Sequence, residues 1–378
     1  MGSHIYKEKT KKILISSTKS VTFNRFLYPI CESLNSFESV NIILAVSDIE
    51  NLDQRLKTYP HKRISYPSRW KEILNPLTII KLISTTNKFI NSENITHIYL
   101  HTPVASSFIR LATLFNLINK PEIIYQVHGY RFYNKLYYPK KLIFFMLEFF
   151  LSFTTKYYIT INQYDFNFSK LLKFWKKKNV YFVNGVGIEK EKISPYFLKN
   201  KTKSKPHIIG TIAAYNKEKG YDCLLKTAKI LENSNCIFKC FGSGDYKYYQ
   251  RKSESDNIIF NSFVKEIEEE IAKFEILFLP SQREGLNVSL QEALFLGVPV
   301  VTSTARGCID VVNNEKIKYI FTTDNAHRAS ELILEIIEMD QLKYNKIRLE
   351  CVKHASANFD SEVVNKTYIN IFSKILNT

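Results

Sequence analysis

Glycine, proline, methionine and tryptophan are all scarce in this chain, at 11, 11, 3 and 2 of 378 residues. So little glycine and proline excludes collagen-like and low-complexity segments, and 45% hydrophobic against 24% charged residues excludes a disordered chain. A long apolar run is missing as well. Leu142 to Phe153 comes nearest, but Glu148 interrupts it and it falls well short of the roughly 20 residues that cross a bilayer. No spanning helix is expected. No secretory signal pattern is recognisable, and Met1-Gly2-Ser3-His4 resembles a cloning remnant that carries no fold information. The cysteines (Cys31, Cys223, Cys236, Cys240, Cys308, Cys351) include no CxxC pair, and Cys236-x3-Cys240 has no histidine at ligand spacing. Reduced thiols in a cytoplasm and no metal site are expected.

Acidic residues are sparse in one half only. Residues 1–200 carry 29 Lys/Arg against 13 Asp/Glu, a net of +16, whereas residues 201–378 carry 24 against 23, a net of +1. A one-sided basic lobe attracts something anionic: nucleic acid, an acidic membrane surface or a phosphorylated acceptor.

A chain of this length suits two domains of about 150–200 residues. Apolar runs alternate with amphipathic stretches, the pattern of α/β architecture. In the first half, strands are expected at Lys12–Ser17, Val40–Val46, His97–His101, Ile123–His128, Tyr157–Ile161 and Val180–Val183. Helices are expected at about 22–35, 75–91, 105–118, 139–154 and 164–175. The segment Lys199–Pro206 (KNKTKSKP) is polar and ends in proline, which marks a domain boundary. The alternation then restarts, with strands at His207–Ala213, Ile237–Phe241, Asn257–Phe260, Ile276–Leu279, Pro299–Thr302 and Lys318–Phe321. Helices are expected there at about 219–232, 265–273 and 287–296, a short one near 307–312, and two or three to the end, the last about 361–376. Two doubly wound domains follow, and ligands of such sheets bind beyond the carboxyl ends of the strands.

The densest chemistry lies in Phe278-Leu-Pro-Ser-Gln-Arg-Glu284-Gly285-Leu286-Asn287, followed by Glu292, Gly297 and Pro299-Val-Val. A strand ends at Pro280, a short loop carries Glu284 and Gly285, and a helix opens near Asn287. Unpaired amides at such a helix start suit a diphosphate, and Gly285 lets the backbone come close. Glu292 lies four residues after Val288 and four before Leu296, on an apolar stripe where a carboxylate needs donors such as vicinal sugar hydroxyls. A capping Glu284 and a solvated Glu292 fit the spacing equally well.

Glu-x7-Glu within PSxxEGL-x5-EAxxxGxPVV resembles the donor-site signature of the retaining family 4 glycosyltransferases. Gly210–Gly220 (GTIAAYNKEKG), Phe241-Gly-Ser-Gly244, Asn257–Phe263 and Arg306-Gly-Cys-Ile-Asp310 are similar to the segments that flank that signature. His101-Thr-Pro-Val-Ala-Ser and His128-Gly-Tyr-Arg-Phe-Tyr resemble the branch that builds capsules, O-antigens and lipid-linked glycans. The resemblance runs from about residue 12 to the end.

It implies a GT-B fold: two doubly wound Rossmann-like domains facing a cleft, with 5–200 binding acceptor, 206–358 binding nucleotide-sugar, and 359–378 forming a helix that returns to the first domain. It implies that Glu292 holds the ribose hydroxyls and that Glu284, with the amides of Gly285, Leu286 and Asn287, contacts the sugar and diphosphate. Lys219 neutralises the leaving diphosphate, Gly242 belongs to the donor site, and His128 faces the donor sugar and acceptor. The donor is expected to be a UDP-sugar and the acceptor a lipid-linked glycan; no metal, cofactor or nucleic acid is expected.

Three features depart from the pattern. Ala214 stands where many members carry arginine, so that one phosphate contact is absent or Lys217 replaces it; Asn287 stands where proline is common; and the loop Ser16–Phe23 lacks a glycine pair, which speaks against a phosphate-cradling role for that loop.

His101 fits an acceptor contact or a capping or core role. The stretch from Arg131 through Lys140 and Lys141 into Leu142–Phe150 reads either as an interfacial surface on anionic lipid or as a core helix with a basic start. The interfacial alternative implies a cytoplasmic protein peripheral on the inner face of the membrane. The remaining histidines (His61, His97, His207, His327, His354) read as structural or solvated. Two rival functions stand beside the enzyme: a nucleic-acid-binding protein using the basic half, and a non-catalytic GT-B partner subunit.

Overall fold

The computed structural model describes residues 10–67, 72, 75–132, 137–172, 179–198 and 201–377. Met1–His4, Lys176–Lys178, Lys199 and the end of the 164–175 helix lie outside the described residues. The chain divides into two compact units, Met1–Val186 with Asn365–Thr378, and Gly187–Val364.

In the first unit, β1 (Lys11–Ser16), β2 (Val40–Val46), β3 (His61–Arg63), β4 (His97–Leu100), β5 (Glu122–Val127), β6 (Thr155–Thr160) and β7 (Asn179–Phe182) form one sheet among the described residues. Its order is β3-β2-β1-β4-β5-β6-β7, and the pairs are parallel. In the second unit, β8 (His207–Ile212), β9 (Cys236–Phe241), β10 (Ile258–Asn261), β11 (Ile276–Leu279), β12 (Val300–Ser303) and β13 (Tyr319–Phe321) follow the order β10-β9-β8-β11-β12-β13, again in parallel. These are the two doubly wound, Rossmann-like sheets that the alternation predicts.

Parallel strands are covered on both faces, so they appear in sequence as unbroken apolar runs. Every residue of β4 and β11 is buried, and in β2 only Asn41 is exposed. β3 escapes sequence reading because His61, Lys62 and Arg63 are all exposed and it pairs on one side only. The predicted helix at 307–312 is a run of turns, since Gly307 takes a left-handed φ of 75° that interrupts helical geometry.

The predicted boundary at 199–206 is displaced. Lys201 Nζ donates to the Ala272 carbonyl at 2.6 Å and also to that of Phe274, while the Ser204 amide donates to Glu275 Oε1 at 2.6 Å. Polar composition marks surface exposure, not separation, and this segment is tied down by its polar groups. The units instead part between Val186 and Gly187. The final helix, Ser361–Leu376, enters the first unit from Asn365 onward. There the Tyr368 hydroxyl donates to the Gly185 carbonyl (3.0 Å) and accepts from Gln126 Nε2 (3.1 Å), and Phe372 packs edge-on against Tyr99.

In both sheets the strand order reverses beside the first strand, between β1 and β4 and between β8 and β11. These switch points are where doubly wound sheets bind ligands.

Candidate active site

At the β8/β11 switch point two loops meet. The chain leaving β8 makes a short 3-10 turn, Lys217–Lys219, whose entry is capped by Asn216 Oδ1 accepting from the Lys219 amide at 3.2 Å. The turn closes on Gly220 (φ 76°), where a Cβ would lie 1.9 Å from the Pro280 carbonyl oxygen. Only glycine permits both that φ and that approach. The turn thereby presents Lys219 to the loop leaving β11.

Glu284 stands in that second loop with 8% of its surface exposed. Lys219 Nζ donates to both its carboxylate oxygens, at 2.7 and 2.8 Å, and Ser281 Oγ donates to Oε1 at 2.8 Å. The Glu284 amide donates to the Arg306 carbonyl at 3.2 Å. Gly307 then packs backbone against backbone, since a Cβ there would sit 2.3 Å from the Gly285 carbonyl oxygen. Glu284 and Lys219 are therefore a half-buried, charge-assisted pair held by three loops, and Glu284 is not a helix cap.

The capping role falls to Asn287, whose Oδ1 accepts from the Leu290 amide at 2.9 Å and opens the helix Val288–Phe295. The Asn287 amide donates to the Gly307 carbonyl at 3.4 Å, and Leu286 is buried beneath the loop. Glu292 is 6% exposed on a helix buried from Leu290 to Phe295, so the solvated alternative does not hold. A carboxylate kept in such surroundings is costly without donors.

Gly242 answers to packing: a Cβ there would lie 1.9 Å from the Ala213 carbonyl oxygen, which keeps the ends of β9 and β8 in close register. Ala214 is half-buried and Lys217 exposed. Sequence reasoning missed Ser281, Arg283 and Arg306. Arg283 Nη2 donates to Glu218 Oε2 at 3.3 Å, and Arg306 is 8% exposed. Their signal was present, as two arginines beside the Glu-Gly loop and the segment after PVV. Burial, with the Glu284 carboxylate, pushes the neighbouring Cys308 thiol up, and all six cysteines are buried and unbridged.

In the first unit, His101 and His128 follow β4 and β5, and Nδ1 of His101 lies 2.9 Å from Nε2 of His128. His101 is fully buried, which leaves it no surface to offer an acceptor; its predicted acceptor contact gives way to a core position. His128 is half-buried. The loop after β1 needs no glycine pair, because the Ser20 amide at its helix start already donates to Asp48 Oδ1 at 2.8 Å. An anion site there is filled by the protein's own carboxylate.

Arg131 and Lys140 are exposed and Lys141 is half-buried. The helix that follows, Tyr138–Leu151, has Ile143 64% and Phe150 55% exposed, while its one acid, Glu148, is buried. One face of the helix packs Phe144 and Phe149 against the core of the first unit, while Ile143 and Phe150 lie on the uncovered face. No helix among the described residues is long and apolar enough to cross a membrane.

Residues 193–355 match the model of the family "Glycosyl transferases group 1". The chain is 23% identical over 380 residues to the N,N'-diacetylbacillosaminyl-diphospho-undecaprenol alpha-1,3-N-acetylgalactosaminyltransferase of Campylobacter jejuni, covering 93% of this chain and 95% of that one. It is 24% identical over 283 residues to an uncharacterized 41.2 kDa protein in the cps region of Klebsiella pneumoniae, covering 73% of this chain and 78% of that one. Among solved structures it is similar to HepE of Anabaena in complex with UDP and glucose, with a TM-score of 0.70, 14% identity and coverage of 96% and 99%. The likeness to solved structures shows a GT-B fold, the family match covers residues 193–355, and relatives by sequence include transferases of lipid-linked and capsule glycans.

Proposed function

We propose that this chain is a retaining glycosyltransferase of the family 4 kind, moving a hexose or N-acetylhexosamine from a UDP-sugar to a polyprenyl-diphosphate-linked glycan in surface polysaccharide assembly, O-antigen or capsule. The observation that carries the reading is the Lys219–Glu284 pair at the β8/β11 switch point, inside the segment that matches the family. In this reaction the acceptor hydroxyl attacks the anomeric carbon, the bond from that carbon to the diphosphate oxygen breaks, and a donor phosphate oxygen takes the acceptor proton. Lys219 stabilises the charge that develops on the leaving diphosphate, Glu284 contacts the sugar, and Glu292 accepts from the ribose hydroxyls. His128 contacts the sugar being transferred. No covalent intermediate on the protein and no metal is assigned a role. The solved relative that holds UDP and glucose supports the choice of nucleotide, and the undecaprenol-linked substrate in the name of the Campylobacter relative supports the acceptor class.

Thermal unfolding with UDP, GDP, ADP and a short oligonucleotide tests the donor. A ligand at about 100 times its Kd stabilises by about 2.7 kcal/mol, a rise of several degrees. The expected result is a rise with UDP that Glu292→Ala abolishes. A rise with GDP or ADP alone overturns the nucleotide, and a rise with the oligonucleotide alone overturns the enzyme in favour of a nucleic-acid-binding protein.

The proposed location is the inner face of the cytoplasmic membrane. Helix Tyr138–Leu151 turns Tyr138, Ile143 and Phe150 outward beside Lys140, the reverse of an ordinary surface helix. Apolar side chains flanked by cations on a basic unit suit the headgroup region of anionic lipid. Co-sedimentation with phosphatidylglycerol vesicles is expected to be strong, weak with phosphatidylcholine alone, and lost in Ile143→Glu/Phe150→Glu. Equal binding by that double variant would remove this helix from the membrane reading.

A further inference from the structure

The His101–His128 hydrogen bond has room for one proton. With both rings neutral, two arrangements exist. In the first, His101 Nδ1–H donates to a bare His128 Nε2, so His128 carries its proton on Nδ1 and His101 Nε2 is bare. In the second, His128 Nε2–H donates to His101 Nδ1, and the His101 proton sits on Nε2. His101 Nε2 is buried and has no hydrogen-bond partner among the described residues. The second arrangement therefore buries an N–H with nothing to accept it, whereas the first buries only a lone pair. Orphaned buried N–H groups are the rarer defect in folded proteins.

The backbone around His101 is held with unusual firmness. Its amide donates to the Ser16 carbonyl at 2.8 Å, and its ring packs edge-on against Tyr99, centroids 4.3 Å apart. The next residue, Thr102, has a φ of 63°, a conformation that β-branched residues avoid. It is kept there by the Thr102 hydroxyl, which accepts from the Thr18 amide at 3.1 Å and bonds the Thr18 hydroxyl at 2.7 Å. Strain so over-determined marks a position whose geometry matters.

We propose that His101 is a positioning residue that locks His128 in its Nδ1–H tautomer, making the ring of His128 a neutral hydrogen-bond donor for an oxygen of the transferred sugar. The role of His128 rests on the function proposed above; its tautomer does not. Burial supports neutrality, pulling His128 down to about 4 and His101 well below the ordinary histidine range, where His128 adds to the effect. The arrangement is that of an orienting partner behind a functional imidazole, in which the bond made by one nitrogen decides which nitrogen is protonated.

The test is two-bond 1H–15N spectroscopy at pH 7 on the full chain labelled with 15N-histidine, the two rings being assigned with His101→Gln and His128→Gln. Both rings are expected to be neutral with the proton on Nδ1. A proton on Nε2 of His128, or an imidazolium at either ring, overturns the proposal. If a variant fails to fold, the ring signals of the unaltered protein still decide, since His128 is also assigned by contacts with neighbouring protons.

Transfer assays then separate orientation from packing. His101→Asn keeps a donor at the Nδ1 position and is expected to retain the His128 tautomer and most of kcat. His101→Leu offers His128 Nε2 no donor and is expected to release the lock, leaving His128 a mixture of Nδ1–H and Nε2–H forms, and to lower kcat about 10- to 100-fold, the order of loss that follows removal of a partner that orients an imidazole. Equal losses in the two variants with an unchanged tautomer would reduce His101 to a packing role and overturn the proposal. Full activity in His128→Gln would instead overturn the sugar-contact reading, with the tautomer still decided by the spectra.

Discussion

Lys219→Ala is expected to lower the rate of sugar transfer about 10²- to 10³-fold, the loss typical of removing one group that stabilises developing charge. Its ammonium lies at the β8/β11 switch point, 2.7 and 2.8 Å from the two oxygens of Glu284. The 3-10 turn and its Asn216 cap aim it there independently of any ligand. Stability is expected to fall by about 1–3 kcal/mol, because Glu284 is buried and loses its counter-charge, although Ser281 Oγ still donates to it and the Lys219 site is 22% exposed to water. Initial rates of transfer from UDP-sugar, beside a melting curve, check both statements. A kcat within threefold of the parent would remove Lys219 from the chemistry. Lys219→Arg is the companion: it keeps the charge with different geometry, and partial activity there attributes the loss to charge.

The second large effect concerns folding. Glu148→Ala is expected to destabilise the first unit by about 3–5 kcal/mol, because it leaves a buried guanidinium without its counter-charge. Arg110 is fully buried, with Nη2 at 3.1 and 3.0 Å from the two oxygens of Glu148. Among the described residues its remaining partners are the carbonyl and hydroxyl of Ser106 and the face of Tyr125 at 4.1 Å, none of which carries negative charge. Burial penalises the cation and Glu148 offsets that penalty first among its neighbours. For a unit of this size each kcal/mol moves Tm by about 2–4 °C, so a fall of roughly 10 °C is expected in a calorimetric scan. Glu148→Leu/Arg110→Met, which removes both charges, should recover most of it. A double variant no more stable than Glu148→Ala would show that packing, not the orphaned charge, sets the loss.

The pair also explains why the Tyr138–Leu151 helix can face apolar residues outward. Glu148 anchors it to the helix Pro103–Leu114 through Arg110, so attachment does not depend on burying Ile143 or Phe150. In sequence the same stretch reads as a core helix or a surface helix with equal ease. Composition records that a helix is apolar, and only its neighbours determine which side is covered.

The two doubly wound units were determined by the sequence alone. Strands covered on both faces must be continuously apolar, so Val40–Val46 and Ile276–Leu279 announced themselves with their bounds intact. The Glu-Gly loop was equally visible, because a ligand loop at a strand end needs its own residue types in one short stretch. What depends on residues far apart in the chain was decided only in three dimensions. β3 is exposed and polar, so nothing in His61–Arg63 marks a strand until β2 pairs with it. Polar Lys201 and Ser204 look like linker residues until the carbonyls of Ala272 and Phe274 and the carboxylate of Glu275 take up their donors. The pairing of Lys219 with Glu284, and of His101 with His128, joins side chains whose spacing in sequence carries no period. Periodicity reports which face of an element is buried. Which charged and polar groups meet at the strand ends is set by sheet order, and that belongs to the tertiary structure.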